Sequence, residues 1–237
     1  MRNWFIVVVC CAALARSVAA LAQERPPSND ANELRKVGST LDVVRKRNAT
    51  DYVISTPNGI DEAAYLKLGG IEQWVTIRGE DRSNPVVLVL HGGPGDTTNP
   101  WGHAGFRTWL KTYTVVQWDQ RGAGRTLGRN GNTAADLTID QLVHDGVELA
   151  SAVRTSLGKK KIILLGHSWG SVLGVLMAKA KPELFSAFVG TGQVGDPARG
   201  YYVAFDALLG KARALGDARA IRELQEIGPP PYQDGRG

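Results

Sequence analysis

The chain has 237 residues, of which 43% are hydrophobic and 22% charged, with a formal net charge of +5. That composition is ordinary for a folded α/β domain and supplies a sizeable core for one main domain. The weak positive balance, with no basic stripe interleaved with aromatic residues, argues against nucleic-acid binding.

At the N-terminus, Arg2 precedes an apolar run from Trp4 to Ala15, and Ala20-Leu21-Ala22 offers a small-residue cleavage site before Gln23. The pattern predicts an export signal over residues 1–22 and a periplasmic or secreted product. A membrane anchor needs roughly 20 apolar residues, and Arg16 and Ser17 interrupt the run well before that. No stable membrane association is therefore expected once the signal is removed. Both cysteines, Cys10 and Cys11, fall inside the signal, which leaves the mature chain to be stabilised by packing rather than disulfides. They lie mid-run and not at its end, which does not fit lipid attachment. Residues 23–60 form a tether and lead-in, opening with the extended composition around Pro26 and Pro27.

A core is expected over residues 61–196. Alternating Ala64, Leu66 and Leu68 run into Gly69-Gly70, and Ile71, Trp74, Val75 and Ile77 follow, which predicts an antiparallel hairpin closed by a two-residue turn. Continuous apolar runs then appear at Val86 to Leu90, Thr114 to Trp118, Ile162 to Leu165 and Ala187 to Val189, as buried strands of a parallel sheet require. Helical stretches lie between them: His103 to Thr112, Thr138 to Leu157 with apolar residues at three-to-four spacing, and Ser171 to Lys181, stopped by Pro182. From residue 197 the pattern changes to two successive helices, Tyr201 to Leu215 and Ala218 to Ile227, expected to open a helical cap over residues 197–237. The fold class is α/β, a mostly parallel sheet behind an N-terminal antiparallel hairpin. Lys159-Lys160-Lys161 is a solvated face on this reading.

The chemistry centres on Gly166-His167-Ser168-Trp169-Gly170, which directly follows the apolar run ending at Leu165 and opens a helix. A strand that turns sharply through glycines into a helix holds a serine on a strained elbow with its hydroxyl above the sheet. Ser168 is thus the candidate nucleophile. His91-Gly92-Gly93-Pro94-Gly95 follows the strand Val86 to Leu90. A backbone N–H from this loop, taken as that of Gly93, together with that of Trp169, would stabilise the oxyanion formed in acyl transfer.

His91 to Gly95, Asp119-Gln120-Arg121-Gly122-Ala123-Gly124 and Gly166 to Ser171 resemble the three signature segments of α/β-hydrolase-fold proline iminopeptidases, in the family's order and over roughly Gly70 to Tyr232. The resemblance implies an α/β-hydrolase fold and a serine peptidase that removes an N-terminal residue, typically proline, from short peptides without metal or cofactor. It makes Ser168 the nucleophile and Gly93 and Trp169 the oxyanion donors. Thr126 stands where the family usually has serine. The family's catalytic Asp and His lie after the cap and have no counterpart here, so the 237 residues alone are expected to be inactive.

Of the available histidines, His91 is expected to shape the oxyanion loop, His144 to be a surface or packing residue in mid-helix and His167 to turn away from Ser168. Asp119 and Arg121 are expected to form a buried ion pair or loop brace, and Glu223 and Glu226 to be surface groups. An esterase or amidase of the same fold, and a non-catalytic truncated binding protein, are the competing readings.

Overall fold

The computed structural model describes residues 39, 42–44, 46–48, 50–131 and 137–231; the expected export signal, both cysteines and the expected tether around Pro26 and Pro27 lie outside them. The chain divides into two compact units, Met1–Asp51 and Tyr52–Gly237. In the first, the described residues from 39 to 51 are helical, and Thr50 Oγ1 donates to the Arg47 carbonyl at 3.0 Å.

The second unit is built on a six-stranded sheet. Strands β1 (Ile60–Leu68) and β2 (Ile71–Gly79) pair antiparallel, from Ile60 opposite Gly79 to Leu68 opposite Ile71. Gly69 and Gly70 close the hairpin at φ 53° and 87°, values that glycine adopts without steric cost. Strands β3 (Val86–Leu90), β4 (Thr114–Trp118), β5 (Ile162–His167) and β6 (Phe185–Thr191) run parallel in the order β4-β3-β5-β6, and β2 joins them antiparallel to β4.

The apolar runs are continuous because the sheet is covered on both faces. Leu88, Leu90, Val116, Trp118, Ile162 and Leu164 pack against helices α3 (Ile139–Ser156) and α4 (Trp169–Ala180) through Leu149, Val153, Leu173 and Met177. Their alternate neighbours Val87, Val89 and Val115 pack on the other face with Leu110, Phe106 and Tyr113. Leu149, Leu164 and Leu173 are fully buried, and each such burial stabilises the fold by about 2 kcal/mol.

The single helix expected over His103 to Thr112 is instead α1 (Asn99–Gly105) followed by a 3₁₀ segment, Arg107–Lys111. Pro100 starts α1 early, and the chain turns at Phe106, whose ring stacks on Trp101 at 5.9 Å between centroids. A further helix, α2 (Gly124–Asn130), was not anticipated. Helices α5 (Pro197–Ala214) and α6 (Ala218–Ile227) follow β6 in succession. Asp196 caps α5 by accepting from the Arg199 N–H at 3.0 Å, which moves its start ahead of the expected Tyr201. Among the described residues β6 is an edge strand, and Val189 on it is 46% exposed.

Candidate active site

Ser168 lies between the end of β5 and the first residue of α4, at φ 51° and ψ −119°. Among the described residues it is the one non-glycine with positive φ, a conformation that costs of order 1–3 kcal/mol and persists only where surrounding contacts enforce it. The enforcing contacts are visible. A β-carbon at Gly166 would overlap the Gly170 carbonyl, and one at Gly170 would overlap the carbonyl oxygen of Leu90, so the elbow packs onto the end of β3 only with glycine at both positions. The Ser168 N–H donates to the Thr191 carbonyl at 2.9 Å.

The glycine loop after β3 lies directly against this elbow. A β-carbon built on Gly92 would sit 3.4 Å from that of Ser168 and 3.5 Å from the His167 carbonyl oxygen. Gly93 follows at φ 112°. Trp169 is the first residue of α4, where the N–H has no intrahelical acceptor and the helix dipole favours negative charge. The loop and the helix start thus bring the neighbourhoods of Gly93 and Trp169 together around Ser168.

His91 is fully buried and uses both ring nitrogens. Its Nδ1–H donates to the Gly92 carbonyl at 2.9 Å, and its Nε2 accepts from the Gln120 N–H at 3.2 Å. Burial holds its pKa below the ordinary histidine value, against smaller opposing effects of the Gly92 carbonyl, Asp119 and Asp96. It is a neutral brace between two loops. His167 is exposed and bonds Thr191 Oγ1 through Nδ1 at 3.0 Å, and His144 is exposed on α3. His103, the fourth of the chain's four histidines, stacks obliquely on Tyr52 with centroids 6.4 Å apart. No hydrogen bond joins any of the four to the Ser168 hydroxyl.

Asp119 and Arg121 do not pair with each other. The buried Asp119 carboxylate accepts from Thr97 Oγ1, from Asn99 Nδ2 at 2.6 Å and from the Arg125 N–H at 2.8 Å, which ties the start of α2 to the segment that leads from the glycine loop into α1. Arg121 bonds Asp145 of α3 through Nε at 2.9 Å, and its Nη2 donates to the Gly69 carbonyl at 2.8 Å. Asp145 also accepts from Gln73 Nε2 at 2.6 Å and Gln141 Nε2 at 2.7 Å. Asp145 escaped the sequence reading because an acid inside an amphipathic helix looks like a surface residue; its place on the buried side of that helix was the available signal. The Thr126 hydroxyl donates to the Asp119 carbonyl at 2.6 Å and accepts from the Trp74 N–H at 2.9 Å, bonds that a serine could also make. Glu223 is exposed and pairs with Arg219 at 2.7 Å, and Glu226 is exposed.

Among the described residues no group of three or more His, Cys, Asp or Glu is placed to hold a metal ion, and no helix is long and apolar enough to cross a membrane. A cavity of about 30 Å³ beside Leu66, Val75 and Ile77 lies on the hairpin, separated from β5 by β4 and β3, and is far too small for a substrate.

Residues 85–218 match the family model described as alpha/beta hydrolase fold. The chain belongs to this family. As an alpha/beta hydrolase it is 30% identical over 172 residues to a probable aminopeptidase of Bacillus subtilis, which covers 71% of this chain and 52% of the relative. It is 34% identical over 164 residues to a probable proline iminopeptidase of Streptomyces coelicolor, covering 68% of this chain and 47% of that one. A solved proline iminopeptidase-related protein from Thermus thermophilus superposes with a TM-score of 0.52 at 26% identity, over 72% of this chain and 58% of that one. The alpha/beta hydrolase chain therefore spans about half the length of these curated relatives.

Proposed function

We propose that this protein is an exported serine hydrolase of the proline iminopeptidase type, acting on short peptides or small amides and esters. The observation that carries the reading is Ser168 at φ 51° beneath the glycine loop and at the head of α4. In this scheme Ser168 Oγ attacks the carbonyl carbon of the N-terminal residue while its proton passes to a histidine base. The N–H groups of Gly93 and Trp169 stabilise the oxyanion, the amine departs with the proton, and water hydrolyses the acyl-enzyme. The place of Gly92 and Trp169 beside the serine and the resemblance of the three motifs support this role for Gly93 and Trp169.

The 237 residues do not bring such a base to Ser168, since each of the four histidines is engaged or placed elsewhere. We infer that turnover requires a histidine and an orienting carboxylate presented to the serine. Without the pair the rate falls by a factor on the order of 10⁴ to 10⁶. The test is hydrolysis of a prolyl amide by the full-length protein and by its Ser168→Ala variant. Activity lost in the variant supports the reading, and an unchanged rate overturns it. Turnover of simple esters without prolyl amides would move the assignment to an esterase of the same fold, whose selectivity the cap sets.

A further inference from the structure

The hydroxyl of Ser171 is fully buried one turn into α4, and it makes two hydrogen bonds of opposite sense. It donates to the Ser168 carbonyl at 2.6 Å and accepts from the Val194 N–H at 3.0 Å. The same carbonyl also accepts from the Ser171 N–H at 2.9 Å. The Ser168 carbonyl and the Trp169 N–H belong to one planar peptide unit and point in opposite directions. Whatever anchors the carbonyl on one side therefore aims the N–H on the other.

The geometry points to Ser171 as a positioning residue that orients the Trp169 N–H toward a developing oxyanion and ties that peptide to the chain leaving β6 for α5. This rests on Ser168 being the nucleophile, and not on a preference for proline. The tie belongs to a set: the Ser168 N–H reaches the Thr191 carbonyl, and His167 reaches Thr191 Oγ1. Ser171 extends the set to Val194, two residues before the Asp196 cap of α5. A serine that merely capped its own helix would have no reason to accept a bond from a segment 23 residues away.

With the hydroxyl removed, the Ser168 carbonyl keeps one donor, and the peptide can tilt away from the productive direction. Misplacements of this size cost about tenfold or more in rate. The test uses p-nitrophenyl butyrate with the full-length protein, and backbone amide exchange by NMR in this chain. Ser171→Ala is expected to lower kcat about tenfold with KM unchanged, and Ser171→Thr, which keeps the hydroxyl, to recover most of it. The Val194 amide should exchange at least about tenfold faster in Ser171→Ala, while the Ser168 amide, held by Thr191, keeps its protection. If Ser171→Ala does not fold, Ser171→Cys, close in volume and a weaker hydrogen-bonding group, takes its place with the same readouts. Unchanged kcat, unchanged Val194 exchange, or a folded Ser171→Thr variant as slow as Ser171→Ala overturns the proposal. Ester turnover without prolyl amide turnover refutes the peptidase reading and leaves this one standing; no turnover of either substrate refutes both.

Discussion

Replacing Asp145 by alanine removes the counter-charge of a guanidinium that is 2% exposed, while Asp145 itself is 0% exposed. Its donors are not equally affected. Gln73 Nε2 retains the Leu68 carbonyl at 3.1 Å, and Gln141 is only partly buried and can turn to water. Arg121 alone is stranded, with the Gly69 carbonyl as its remaining partner. Breaking a buried pair this way costs about 3–5 kcal/mol, a large part of the roughly 5–15 kcal/mol that holds a domain folded. Arg121→Met leaves the Asp145 carboxylate with the Gln73 and Gln141 donors, and the Gly69 carbonyl in a half-exposed turn can accept from water. Its cost is expected to be smaller, about 2 kcal/mol. The double variant Arg121→Met, Asp145→Ala removes both charges and should cost less than the sum by about 2 kcal/mol. Urea unfolding followed by far-UV circular dichroism on all four proteins measures the cycle. Additive losses, or a larger loss for Arg121→Met than for Asp145→Ala, would refute the assignment of the energy to the stranded cation.

Ser168→Gly should remove catalysis and yet raise stability by about 1 kcal/mol, because glycine adopts φ 51° freely; urea midpoints equal to wild type would show that the elbow stores no strain. Gly170→Ala forces a β-carbon onto the Leu90 carbonyl and should lower Tm by more than about 5 °C, whereas Gly128→Ala, in an open position on α2, should hold or raise it. Burial depresses the pKa of His91, and burial together with nearby Arg78 depresses that of His103. Each is then neutral in the folded chain at pH values where the unfolded chain is protonated, so their stabilisation is complete above about pH 6.5 and is lost as the pH falls below it. Thermal melts from pH 8 to 5 should show this decline, and His91→Gln should flatten it; a flat wild-type profile contradicts the neutral brace. Val189→Lys should slow aggregation of the 237-residue chain, measured by light scattering, because a charge on β6 disfavours edge-to-edge pairing.

The parts of the fold that were legible are those in which a single physical demand writes the sequence. A strand buried on both faces must be apolar throughout, and Val86–Leu90 and Thr114–Trp118 were delimited to the residue. A tight hairpin needs positive φ, and Gly69-Gly70 declares it. The elbow was readable because three demands coincide on five residues. Helix α2 was not, because Gly124 and Gly128 weaken its helical signal and Asp119, five residues before it begins, supplies the bond to its first turn. Strand β6 extends past its apolar run, since Phe185, Gly190 and Thr191 join the ladder opposite Ile162, Gly166 and His167 of β5, with Ser186 at a shift of register, through backbone pairing that no side-chain pattern encodes. The partner of Arg121 was invisible for a related reason. Nothing in the local sequence distinguishes Asp145 from a solvent-facing acid until α3 is docked on the sheet.

The bonds around Asp145 close three long loops at once: 72 residues separate it from Gln73, 24 separate it from Arg121, and 52 separate Arg121 from Gly69. Closing such loops costs entropy before any bond repays it, and two charges must leave water while their partners are still arriving. The set can therefore assemble only after hairpin, loop and helix have docked, and it belongs to the last stage of folding. Substitutions there should leave the rate of folding almost unchanged and appear as faster unfolding. The network is then less a guide to the native state than a bolt drawn once that state is reached, and its strength sets how long the chain stays folded.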